Sequence, residues 1–171
     1  MDGVTLRPIG EADLEPMGRF LADPEAGSHF LWTGFKDPHR VRRRWDEDGW
    51  LGADDGALAI GLADGTFAGF VRWWDRSLGD MKNLVYEIGI SMLPDHRGHG
   101  IGTEAQKQLV RYLFDTTPAH RIEAFTDVEN LPEQRALEKA GFQQEGRYRE
   151  AVFRSGGWHD SYLYGLLRHE A

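Results

Sequence analysis

The apolar positions of this chain switch repeatedly between strand-like and helix-like spacing. Val4 to Pro8 reads as a short strand, and Glu11 to Ala22 as a helix weakened by Gly18 and closed by Asp23-Pro24. Asp37 followed by Pro38 forms an N-cap with proline at the first helical position, opening a helix to about Asp48 that Gly49 ends. Leu58 to Ala63 and Thr66 to Trp74 flank Asp64-Gly65, a strong two-residue hairpin signal. Leu84 to Met92 is apolar along most of its length, as a central strand would be. From Thr103 to Phe114, Ala105, Leu109, Val110 and Leu113 make one apolar helical face. Arg121 to Thr126 predicts a strand. Asn130 then caps a helix in which Glu133 is placed to reach back, and Gly141 stops it with Phe142 as the closing apolar contact. Gln143 to Phe153 and Trp158 to Leu167 flank Gly156-Gly157 as a second hairpin. The order β-α-α-β-β-β-α-β-α-β-β, without linker or repeat, predicts one mixed α/β domain over residues 1–171.

Composition narrows the chemistry. A chain of 171 residues with 40% hydrophobic content has room for one real core. A net charge of −8 disfavours a nucleic-acid backbone as main partner and suits a cationic amine. The absence of cysteine excludes a disulfide framework, a cysteine-ligated zinc and any acyl transfer through a cysteinyl intermediate. No apolar stretch approaches membrane-spanning length, and the N-terminus lacks a basic-then-apolar leader pattern, so a cytoplasmic location is expected.

The most informative residues are Arg97, Gly98, His99, Gly100, Ile101 and Gly102, between a strand and a helix. Glycines there let the backbone approach a ligand, and a helix mouth aims N–H groups and a positive dipole end at an anion. The spacing fails the dinucleotide fingerprint, because Thr103 stands where a third glycine is needed, and no Gly-Lys pair exists for a P-loop. What remains, Arg-x-x-Gly-x-Gly, resembles the acyl-CoA motif of the GNAT N-acetyltransferase superfamily. The tail is a second match: Leu137 to Phe142, Glu145 to Glu150 and Trp158 to Leu167 are similar to the branch containing ribosomal-protein N-terminal-alanine acetyltransferases. The resemblance spans essentially the whole chain. It implies a central mixed, mostly antiparallel sheet of six to seven strands flanked by about four helices. It further implies an acceptor side within residues 1–80, an acyl-CoA-binding core at 81–142 and a closing hairpin at 143–171.

The same resemblance implies acetyl-CoA as co-substrate, with no metal. It places pyrophosphate at Arg97 to Gly102, with the Thr103 hydroxyl added. Pantetheine would lie against Ser91, Met92 and Leu93 where their strand splays from its neighbour at a bulge. Asn130 matches a position that contacts the pantetheine arm, and it also reads as a plain helix cap. Many relatives carry a tyrosine as general acid where this chain has Leu137, and a small hydroxyl residue where it has Glu133.

Transfer needs a neutral amine. An α-amino group of pKa ~8 is already partly neutral near neutrality, whereas a lysine-type amine of pKa ~10.4 faces a deficit of about 4 kcal/mol. Glu87 is the candidate base: an acid on an apolar strand, facing away from Tyr86 and Ile88, whose pKa burial should raise. Trp32, Trp73 and Glu150 are candidates for the acceptor pocket, though most of the aromatics Phe30, Trp32, Phe35, Trp45, Trp50, Trp73 and Trp74 are expected in the core. Arg40, Arg42, Arg43 and Arg44 form the basic run, read as a solvated face or as a grip on RNA. His96 and His99 flank the cradle but lack a third ligand for a metal.

The expected activity is an acetyl-CoA-dependent transfer to a primary amine, on a protein N-terminus, a small molecule or an antibiotic, by direct attack. Two alternatives stand beside it. One is an aminoacyl-tRNA-dependent acyltransferase, which the basic run keeps open; the other is a non-catalytic acyl-CoA-binding module. No membrane partner is expected, and the chain would be a monomer or a homodimer.

Overall fold

The computed structural model describes residues 3–77, 82 and 84–171. The junction proposed at residues 80 and 81 lies outside the described residues. Seven strands run in the order β1-β2-β3-β4-β5-β7-β6. They are β1 (Thr5–Arg7), β2 (Asp55–Gly61), β3 (Phe67–Asp75), β4 (Val85–Met92), β5 (Arg121–Asp127), β6 (Gln143–Arg154) and β7 (Gly157–Leu167). The helices are α1 (Leu14–Ala22), α2 (Pro24–Leu31), α3 (His39–Asp48), α4 (Ile101–Thr116) and α5 (Leu131–Lys139). Every pairing is antiparallel except β4 with β5, which run parallel with α4 as their crossover. Among the described residues no helix is long and apolar enough to cross a membrane.

The period of two along β2 explains how one sheet serves two cores. Leu58 and Ile60 join the larger cluster with Val71, Trp73, Ile88, Leu109, Leu113 and Ile122, under α4 and α5. Ala57 and Ala59 face the opposite way and pack with Leu14, Met17 and Val41 of α1 and α3. Trp45 and Trp50 belong to this second core, where each indole N–H donates to a backbone carbonyl, of Ile9 and Val41 respectively, at 3.1 Å.

Among the described residues there are five helices where about four were expected. The additional α2 lies in a segment that the sequence marks only as a stop, because Asp23-Pro24 does two things at once. Asp23 ends α1 with its N–H on Arg19 O, and its side chain accepts the Glu25 N–H at 2.9 Å to begin α2, with Pro24 at the first helical position. A kink at Ser28, with φ 60, breaks the helical pattern that would have revealed α2. Helix α4 begins at Ile101 rather than Thr103, so Thr103 lies within its first turn. The turns after β2 and β6 fall where expected, between Gly61 and Phe67 and between Arg154 and Gly157.

Candidate active site

The parallel pairing of β4 with β5 runs from Val85–Arg121 to Ile88–Ala124 and stops there, although β4 continues to Met92 and β5 to Asp127. Beyond Ile88 the two strands have parted. On its other side β4 stays in unbroken register with β3 as far as Gly69–Met92, so the gap opens without the expected bulge in that ladder. The β4 edge from Gly89 to Met92 therefore has no strand partner on that side, although its last carbonyl, of Met92, is taken by the Arg97 guanidinium. Ser91, Met92 and Leu93 lie along this edge or just past it.

At the mouth of the slot stands the glycine turn. Gly98 and Gly100 have φ of 78 and 77, and an ideal Cβ on Gly98 would meet nothing within 4 Å. The first intrahelical bond of α4 runs from Glu104 N–H to Gly100 O at 3.2 Å, leaving the N–H groups of Ile101, Gly102 and Thr103 ahead of it. N–H groups at a helix mouth suit an anion, and the space beside Gly98 is open. Arg97 departs from the role its sequence position suggests. Its guanidinium donates to the carbonyls of Met92 at 2.9 Å, Glu25 at 3.2 Å and Ala26 at 2.6 Å. It ties β4 and α2 to the cradle instead of projecting a free cation. His99 is exposed and His96 half-buried on the same turn.

The α4–α5 side of the slot carries two buried oxygens without partners, Gln106 Oε1 and Thr126 Oγ1, the latter on the splayed end of β5. Orphaned acceptors here suit a bound chain that brings amide or hydroxyl donors. Asn130 ends the loop after β5, and its side chain makes no capping bond to α5. Glu133 does not close a capping box either. It is tucked against α4, where Gln106 Nε2 donates to it at 2.9 Å, and burial pushes its pKa up to about 7 against that hydrogen bond. A pKa raised on folding favours the folded state fully below about pH 4.3, and the benefit is lost as pH rises through about 7. Glu133→Gln should therefore gain stability over the natural chain as pH rises from 5 to 8, by about 1–3 kcal/mol, in urea unfolding at each pH. A difference that does not change with pH would show that Glu133 ionises freely. Leu137, in the position where many relatives have tyrosine, is wholly buried and apolar.

On the opposite face of the sheet, Glu87 sits one residue before the strands part. Its side chain is 14% exposed and lies 3.2 Å from Arg76 Nε. Burial is the largest influence and raises its pKa; Arg76 pulls the other way, and the nearby Glu123 adds to the rise. Glu123 is itself held by Arg121 at 2.7 Å. The carboxylate is thus poised to accept a proton at a higher pH than an ordinary glutamate.

The residues expected to wall the acceptor pocket are not all together. Trp32 lines a cavity of about 570 Å³ between α2 and the β6–β7 hairpin tip, with Glu25, His29, Phe153 and Arg154. Glu150, with φ 51, is on the irregular stretch of β6 between Tyr148 and Val152, in a separate concavity of about 790 Å³ with Tyr148 and Asp160. Trp73 is in neither. It points to the α4 side, 8% exposed, with its ring 5.7 Å from Tyr112, because adjacent Trp73 and Trp74 must take opposite faces and the core takes the first.

A cluster with no sequence signal organises the Trp32 cavity. Arg154, with a side chain 2% exposed, donates to Asp127 at 2.8 Å, Glu129 at 2.6 Å and His29 Nε2 at 2.6 Å. A guanidinium has only donors, so His29 accepts at Nε2 and carries its proton on Nδ1. Asp127, Glu129 and His159 offer metal-type donors within 4.8 Å of one another, but the cation already seated between the carboxylates is Arg154. Three of the four arginines of the basic run on α3 are paired, Arg42 with Glu11, Arg43 with Asp37, and Arg44 with Asp48 and Asp55, while Arg40 is exposed.

Residues 4–143 match the family described as Acetyltransferase (GNAT) domain. The chain belongs to the GNAT acetyltransferase family. As a GNAT N-acetyltransferase it is an acyl-transferring enzyme. It is 28% identical to the N-acetyltransferase p20 of Bacillus licheniformis, over 98% of this chain and 94% of that protein. A spermidine N-acetyltransferase from Vibrio cholerae, solved with CoA and spermine, superposes with a TM-score of 0.85 at 19% identity, over 98% of this chain and 96% of the other. Mycobacterium smegmatis RimJ, solved with CoA-disulfide, gives a TM-score of 0.78 at 26% identity, over 98% of this GNAT chain and 83% of that one.

Proposed function

We propose that this enzyme moves the acetyl group of acetyl-CoA to a primary amine by direct attack, in the cytoplasm, with the whole chain working as one unit. The observation that carries the reading is the parting of β4 from β5 after Ile88, directly below the glycine cradle. A slot with one unpaired strand edge accepts an extended amide-bearing chain as an added strand would be accepted. Pyrophosphate then falls at the N–H groups from Gly98 to Thr103, with Arg97 holding the turn in shape. Pantetheine lies along Ser91, Met92 and Leu93, opposite Asn130 and the orphaned Gln106 and Thr126 oxygens. Such a complex is consistent with CoA in the Vibrio cholerae and Mycobacterium smegmatis structures.

The acceptor enters from the face that carries Glu87, past Trp32 or Glu150. Its ammonium gives a proton to Glu87, directly or through water. The neutral nitrogen attacks the thioester carbon, forming a C–N bond, and the tetrahedral species collapses with loss of the C–S bond. The nitrogen gives up its second proton, which reaches the leaving thiolate through water since Leu137 offers none, and Glu87 returns the first to solvent. Pairing of three of the four arginines in the basic run of α3 weakens the case for an aminoacyl-tRNA donor, so coenzyme A is the favoured carrier.

Calorimetric titration with acetyl-CoA tests the cradle. The natural chain should bind with micromolar affinity. Gly100→Val places a β-branched residue at φ 77 and should abolish binding while circular dichroism shows the fold retained. Unchanged affinity in the variant would remove the cradle from the account.

A further inference from the structure

Arg72 has no role in the account so far, and its surroundings are unusual for a cation. It lies on β3 directly across from Gly89 of β4, on the face shared by Glu87 and Trp74. Its guanidinium stacks on the Trp74 ring, 4.9 Å from the centroid. The chain bends over β4 in the space that glycine leaves: a Cβ on Gly89 would stand 3.3 Å from Arg72 Nε. Gly89 is the first β4 residue beyond the last β4–β5 pair, so the cation overlies the opening of the slot. Among the described residues Arg72 makes no hydrogen bond and has no carboxylate within ion-pair distance. Most other guanidiniums of the molecule are spent on carboxylates or backbone carbonyls. Arg72 is nonetheless exposed to solvent, while the protein around it desolvates it enough to lower its pKa. The guanidinium is thus reachable from solvent while packed on Trp74 and over Gly89.

We infer that Arg72 is an anion receptor within the acceptor site, and that the acceptor is an amine bearing a carboxylate a few atoms from its nitrogen, as in an amino acid. The inference rests on the reading of Glu87 and the β4–β5 slot as the transfer site. A guanidinium grips a carboxylate through two parallel N–H donors, and stacking on Trp74 fixes the plane of that fork. Glu87 would meet the ammonium end of the same molecule. The charges around Glu87 argue against the alternative class. Glu123 is held by Arg121, which leaves one carboxylate facing Arg72 and Arg76. A zwitterion matches that balance, whereas a polyamine brings only positive charge to a site already cationic.

The experiment compares kcat/KM for the common L-amino acids, their carboxamides and spermidine, with acetyl-CoA binding measured in parallel. The natural enzyme should prefer at least one amino acid over its own amide by about a hundredfold, because the neutral amide offers the fork one oxygen and no charge. In Arg72→Gln that acid-to-amide ratio should fall at least about tenfold. Arg72→Lys should recover part of it, since a point charge replaces the fork. A role confined to folding, or to stabilising the reacting carbonyl, would lower acid and amide together and leave the ratio unmoved, overturning the proposal. Preference for spermidine or for the amides would also overturn it. Acetyl-CoA binding without turnover on any carboxylate-bearing amine would do the same while leaving the donor site standing. Loss of acetyl-CoA binding in the natural chain would instead defeat the transfer-site reading beneath it.

Discussion

Glu87→Gln is expected to lower kcat by about 10²–10³-fold, the usual scale for removing a general base, while acetyl-CoA affinity stays within about twofold. The substitution is close in shape and removes only the ability to accept a proton. Arg76 loses its partner, but that guanidinium is 47% exposed and remains solvated, so stability should change little. The pH profile gives a second readout with a definite sign. The active form of the base is the carboxylate, so the rate of the natural enzyme falls as pH drops through the folded pKa of Glu87. Burial raises that pKa, and the acid limb should therefore lie above the ordinary glutamate value of about 4.3. In the variant this limb should disappear. A glutamine enzyme with natural turnover would move the base role to water or to another group.

Gly69→Ala should be the most damaging small substitution in the sheet, costing about 3–5 kcal/mol and lowering the melting temperature by roughly 10 °C. Gly69 pairs with Met92 at φ 154, and an ideal Cβ there would stand 2.1 Å from Ser91 O and 3.0 Å from Met92 Cα. Both contacts are backbone, which cannot swing aside as a long side chain would. Relief requires β3 and β4 to separate at the stretch that forms the β4 edge of the slot, so acetyl-CoA affinity should fall with stability. Gly65→Ala is the comparison: its φ is 86, but a Cβ would meet nothing within 4 Å, so only conformational strain of about 1 kcal/mol applies. Thermal unfolding and calorimetry on both variants separate clash from strain. Equal losses in the two would show that the close approach of β3 to β4 is unimportant.

The elements that were legible in the chain are those whose cause is local. Asp64-Gly65 and Gly156-Gly157 announce their hairpins because few residues other than glycine tolerate the required turns. The cradle is legible for the same reason, since its glycines follow a strand and open a helix. The acid Glu87 stands out because a charge in an apolar strand needs an explanation. The same reasoning applied to Arg72, one strand earlier and between Val71 and Trp73, would have found it. Helix α2 was missed because Asp23-Pro24 is written identically for an ending and a beginning.

What the sequence determined by itself was therefore the family architecture, the glycine turn between a strand and a helix, and an acid on the central strand, each set by short-range backbone geometry or by pattern. Only the tertiary structure decided where side chains spend their bonds. It committed the Arg97 guanidinium to carbonyls of β4 and α2, and turned Glu133 from a cap into a half-buried acid against Gln106. It placed Trp73 in the core and stacked Arg72 on Trp74 with, among the described residues, no hydrogen-bond or ion-pair partner. These outcomes depend on which face each strand presents and on which elements meet across it. That information is long-range, and no window along the chain contains it.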